Sequence, residues 1–67
     1  MSEIEIMLMI QKKTNKSVLL EASLHPTEWL VTLGWHHRGL WMRDAQTKGD
    51  TAMEALHNMA VEREAYD

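Results

Sequence analysis

Between Gly34 and Asp44 the chain reads GWHHRGLWMRD, and these residues gather the side chains best suited to chemistry: Trp35, Trp41, His36, His37, Arg38 and Arg43. Three kinds of chemistry draw on such a set. Tryptophan and arginine are over-represented among the anchors of protein interfaces. The same residues can stack on bases and neutralise phosphates. Histidines can also hold a metal ion.

The metal reading finds no support in spacing. His36 and His37 are adjacent, so on a strand they point to opposite faces, and His25 and His57 lie far away along the chain. No two histidines sit three or four apart, and no His-Glu-x-x-His pattern occurs. Catalysis fares no better. Cysteine is absent, there is no nucleophile elbow or glycine-rich phosphate loop, and Ser17 and Ser23 fall where turns and strands want polar residues. A domain of 67 residues also struggles to build a concave, water-excluding pocket. No enzyme activity, no metal and no cofactor is therefore expected.

Charge decides between protein and nucleic acid. The net charge is -3, whereas binding through phosphates relies on clustered Lys and Arg. The distribution is uneven. Lys12, Lys13 and Lys16 form one basic locus and Arg38 with Arg43 a second, while Asp50 to Asp67 carries five acids against Arg63 alone. Such polarity suits docking onto a protein surface, where complementary charge fixes register, although solvated surface is the first explanation of it. A protein partner is the first expectation and nucleic acid the second.

These side chains need elements to position them, and the chain reads as a single domain over residues 1–67 without repeats or linkers. In EIEIMLMI, residues 3–10, Ile4, Ile6, Leu8 and Ile10 alternate with Glu3, Glu5, Met7 and Met9, which predicts a strand. A helix is the alternative, because Ile4, Leu8 and Gln11 also stack at helical spacing. KKTNK then reads as a turn into SVLLEASL, with Val18, Leu20, Ala22 and Leu24 on one face. Pro26 calls for a loop. EWLVTLGW follows as the clearest strand, with Trp29, Val31, Leu33 and Trp35 on one side. HHRG turns the chain, and LWMRDAQ returns with Leu40 and Met42 opposite Trp41 and Arg43. Last comes a helix, started by Thr51 with Glu54 three residues on, with Ala52, Ala55, Leu56, Met59, Ala60 and Arg63 on one broad side.

The expected fold is α+β: a three- to four-stranded antiparallel meander with one C-terminal helix packed on one face. A single helix covers a single face of the sheet. The other would then carry Met7, Met9, Leu19, Leu30 and Trp41, more exposed apolar area than a monomer usually tolerates. That face is expected to pair with a copy of itself, as a homodimer, or to meet another protein.

Two resemblances bear on this expectation. A sheet followed by a C-terminal helix has the order of the second half of a double-stranded-RNA-binding domain, but the lysine-rich helix start of that family is replaced here by Asp50, Thr51 and Glu54. GDTAMEALHNMA, residues 49–60, resembles the strand-to-helix junction of HicB-like antitoxin domains through Gly49, Asp50, Thr51, Glu54, Ala55, Leu56, Asn58 and Ala60. This second resemblance implies a compact module that binds and blocks a protein, usually as a dimer. It also implies DNA-binding regulation, and no residues here answer to that part.

The sequence therefore points to a small non-enzymatic protein-binding module, an inhibitor or adaptor occluding a site on a larger protein, of the sort encoded by phages and mobile elements. Alternatives are a nucleic-acid-binding module using the hairpin at 35–43, or a HicB-like antitoxin domain. Trp35, His37, Arg38, Trp41 and Arg43 are the expected contact residues, with Glu54 and His57 on the helix as a second set. Acidic residues precede the first apolar run, unlike a secretory signal, and Ile6 to Ile10 is too short to span a bilayer, so a cytoplasmic protein without membrane contact is expected.

Overall fold

Residues 3–14 form a helix, not the strand their alternating isoleucines suggest. In the computed structural model, which describes residues 1–66, the order is α1 (Glu3–Thr14), β1 (Ser17–Ser23), β2 (Glu28–His37), β3 (Leu40–Gly49) and α2 (Ala52–Glu62). Capping decides α1. The Ser2 hydroxyl accepts from the Glu5 amide at 3.2 Å while the Glu5 carboxylate accepts from the Ser2 amide at 3.0 Å, a reciprocal capping box. Glu3 and Glu5 sit at the positive end of the helix dipole, and Lys12 and Lys13 at the negative end. Asn15 closes the helix in the left-handed conformation, its amide donating to the Gln11 carbonyl at 2.7 Å.

The period-two pattern is thereby split into two helical pairs. Ile6 and Ile10, four apart, are buried, whereas Ile4 and Leu8, also four apart, face outward. A strand would have sent all four to one side. KKTNK is accordingly a helix end, and the described residues form three strands, within the expected three to four, with two helices instead of one.

The strands form an antiparallel meander in the order β1-β2-β3. Its first connection, over residues 24–27, is held by the Thr27 hydroxyl donating to the Leu24 carbonyl at 2.9 Å; Leu24 lies beyond β1 and is exposed. The second is tighter than HHRG suggested. β2 continues through His37, so only Arg38 and Gly39 turn, with φ of 52° and 78°. Positive φ at both central residues is the type I′ signature, whose twist matches that of the flanking strands. Leu33 pairs with Ala45 but Gly34 with Arg43, which makes Asp44 the extra residue of a β-bulge.

Both helices pack on the same side of the sheet. Val31 and Leu33, flanked by Val18, Leu20, Trp29 and Ala45, meet Ile6 and Ile10 of α1 and Ala55, Leu56, Met59 and Ala60 of α2. The alanines let α2 lie close. A side chain on Gly49 would put its Cβ 2.5 Å from the Ala55 nitrogen, so only glycine fits beneath the helix start. Thr51 caps α2 by accepting from the Glu54 amide at 3.1 Å. Thr47 donates to the Ala55 carbonyl at 2.8 Å, and the Asn58 amide to the Lys48 carbonyl at 2.9 Å. The result is two layers only 17 Å thick.

The uncovered face differs from the expectation because Met7 and Met9 belong to α1. By strand alternation it carries Leu19, Leu30 and Trp41 among Glu21, Glu28, Thr32, His36, Arg43, Gln46 and Lys48. Thr32, at its centre, is only 2 % exposed and accepts a bond from the Gln46 side-chain amide at 3.0 Å. Glu28 reaches the Lys48 ammonium at 3.8 Å. Leu19 stays exposed on this face, but polar residues surround it, and the larger groups of exposed apolar side chains lie elsewhere.

Candidate functional site

β1 begins opposite Gly34, so Trp35, His36 and His37 have no β1 neighbour. The end of the β2–β3 hairpin, residues 35–42, therefore projects as a two-stranded blade beyond the three-stranded sheet. Cross-strand pairing fixes its composition: Trp35 faces Met42, His36 faces Trp41 and His37 faces Leu40. Alternation puts Trp35, His37, Leu40 and Met42 on the helix side and His36, Trp41 and Arg43 on the other.

The helix side of the blade is apolar and uncovered. Leu40 is 66 % exposed, and Trp35 and Met42 are each 40 % exposed. At its foot stands a charged cluster drawn from three distant points of the chain. Asp44, presented by the bulge, accepts from the Lys16 ammonium at 2.9 Å and lies 3.3 Å from the Arg63 guanidinium. The Lys16 bond holds the Asp44 carboxyl below the usual aspartate range. The Lys16 ammonium also lies 5.5 Å from the Trp35 ring centroid, a cation–π contact that orients the indole. Two cations share one carboxylate, and the Nε of Arg63 has no partner. With Arg38 at the tip and Arg43 on the back, this end of an acidic protein is locally positive.

On the back, Trp41 packs edge-on to His36 at 5.0 Å between ring centroids, and its ring covers Gly34. A Cβ on Gly34 would collide with the Met42 carbonyl and that indole.

The expected contact residues fall into three groups. Trp35 and His37 share the helix side of the blade, Trp41 lies on its back and Arg38 at its tip, while Arg43 sits at the base of the back, paired with Gly34. Glu54 and His57 lie apart on the outer face of α2, where His57 Nδ1 and the Tyr66 hydroxyl are 3.0 Å apart. Leu40, Met42, Lys16, Asp44 and Arg63 complete the site but were not singled out by sequence. The alternation that exposes Trp35 could have pointed to Leu40 and Met42. Nothing in one sequence pairs positions 16, 44 and 63. Trp29, by contrast, packs on the core.

Among the described residues, no group of three or more His, Asp or Glu side chains is placed to hold a metal ion. The pocket beside α1, lined by Met9, Lys12, Lys13 and Ala65, brings no nucleophile or acid–base pair together. Among the described residues, no helix is long and apolar enough to cross a membrane. Of the residues around the start of α2, Gly49 leaves room for the helix, Thr51 caps it and Asn58 ties it to the sheet. Comparison of the chain with protein-family models, curated proteins and solved structures finds no match.

Proposed function

We propose that this protein is a non-enzymatic binding module that docks its β2–β3 blade onto a larger protein, as an inhibitor or adaptor. The observation that carries the reading is the uncovered apolar row of Trp35, Leu40 and Met42 on a projection free of the sheet's third strand. Large apolar and aromatic groups beside arginine are the composition of an interface centre. The complementary partner surface is an apolar cleft rimmed by carboxylates, which would meet Lys16, Arg38 and Arg63. The resemblance at residues 49–60 supports the same kind of action, binding and blocking a protein. Arg38 adds a smaller argument. It occupies a left-handed turn position that asparagine would fill with less strain, and a binding role for its guanidinium would account for its presence.

The test is capture by the immobilised chain after nuclease treatment, compared with Leu40→Asp and Trp35→Ala. A stoichiometric protein held by the wild type, with affinity down about tenfold or more in either variant, is the expected result. Binding that vanishes with nuclease, and whose salt dependence flattens in Arg38→Ala/Arg43→Ala, would replace this reading with the nucleic-acid one, using His36, Trp41 and Arg43.

A further inference from the structure

The outer face of α1 is the second place where apolar side chains lack cover. Ile4 is 68 % exposed and Leu8 59 %, directly opposite the buried Ile6 and Ile10. Gln11 and Asn15 continue this line at spacings of three and four, the arrangement of a helix seam. Glu5 and Lys12 flank the line on one side, seven residues apart, with Leu8 almost midway between them.

That placement is self-complementary. We infer that α1 pairs with the α1 of a second copy of this chain, the two helices antiparallel about Leu8. At a rise of about 1.5 Å per residue, Glu5 lies about 4.5 Å to one side of Leu8 and Lys12 about 6 Å to the other. A two-fold axis at Leu8 therefore brings Glu5 level with Lys12 of the second copy, and Lys12 level with its Glu5. Leu8 meets Leu8, and Ile4 covers the seam beside Gln11. The acidic first turn of each helix lies along the basic last turn of the other, so the dipoles also oppose. Such an isologous contact needs no third protein. A membrane surface is a poorer match, since interfacial helices carry a basic polar face and α1 places Glu3 and Glu5 in its first turn. The blade lies outside this contact, so the dimer stands or falls separately from the proposed function.

Sedimentation of the full chain over a concentration series tests the pairing. The expected result is reversible doubling of mass, weakened at least tenfold by Leu8→Glu, an outward substitution that leaves the core untouched, and unchanged by Leu40→Asp. A charge exchange supplies the second reading. Lys12→Glu alone sets Glu against Glu, and Glu5→Lys alone sets Lys against Lys, so each should be monomeric, while their mixture should form heterodimers. Circular dichroism checks α1 in the Glu5 variant, which gives up its bond to the Ser2 amide. A chain that stays monomeric throughout, a dimer indifferent to Leu8→Glu, or a monomer that instead binds anionic phospholipid vesicles through α1 would overturn the inference.

Discussion

Asp44 shows how one side chain fixes the position of others. The bulge turns it toward Lys16 and Arg63, and Lys16 in turn stands beside the Trp35 ring. Its folded pKa is lowered from the ordinary value of 3.8, chiefly by the Lys16 hydrogen bond. A lowered folded value means that the carboxylate stabilises the fold above pH 3.8 and that this contribution is lost as pH falls through the folded pKa. Asp44→Asn should therefore melt below the wild type at neutral pH, with the gap closing in acid; melting temperatures of both chains across pH 2–7 would show it. The pair is exposed, so the neutral-pH gap should be small and shrink with salt. Equal pH profiles would mean that the cluster contributes nothing to stability. That the tryptophans and arginines of this region crowd into one hairpin was legible from their spacing. Their division between two faces was legible as well, because alternation in strands is strict. The charge cluster was not, because it depends on long-range packing.

Among the elements, α1 is the instructive one. Ser2 and Glu5 carry the same Ser/Thr-x-x-Glu signal that identifies the start of α2 at Thr51 and Glu54, yet the alternation of isoleucines argues for a strand. Capping prevails because it satisfies amides that an early helix turn would otherwise leave open, whereas the alternation is equally met by one inward and one outward helical pair. β1, β2, β3 and α2 were all legible, since each carries a pattern only one period fits. Their ends were less so: the second turn shortened to Arg38 and Gly39, and Leu24 fell outside β1. Ser2→Ala should cost about 1 kcal/mol and fray the first turn of α1. Denaturant unfolding measures the loss, and a value within error of zero would show that packing of Ile6 and Ile10 alone holds the helix.

For the molecule as a whole, the core is thin, and Ala55, Ala60 and Ala65 supply much of the helix side of it. Leu33 is fully buried at the middle of the central strand, where β1, β3 and the helices meet. Leu33→Ala should cost about 2–5 kcal/mol, a large part of the stability of a domain this small. Urea unfolding at 25 °C would then show a markedly lower midpoint, or no folded baseline at all. A loss below about 1 kcal/mol would mean that the two layers close over the gap.

The helices are tied in unequally. The backbone of α2 runs close to all three strands and to α1, whereas that of α1 runs close to α2 and β1 and reaches β2 only through its side chains. Opening should therefore be graded: α1 can lift from its bed while the meander and α2 hold, baring Ile6 and Ile10. Amide protons along residues 7–13 would then trade with solvent ahead of those in β2, and a copy clasping α1 from outside would slow that trade at every one of them.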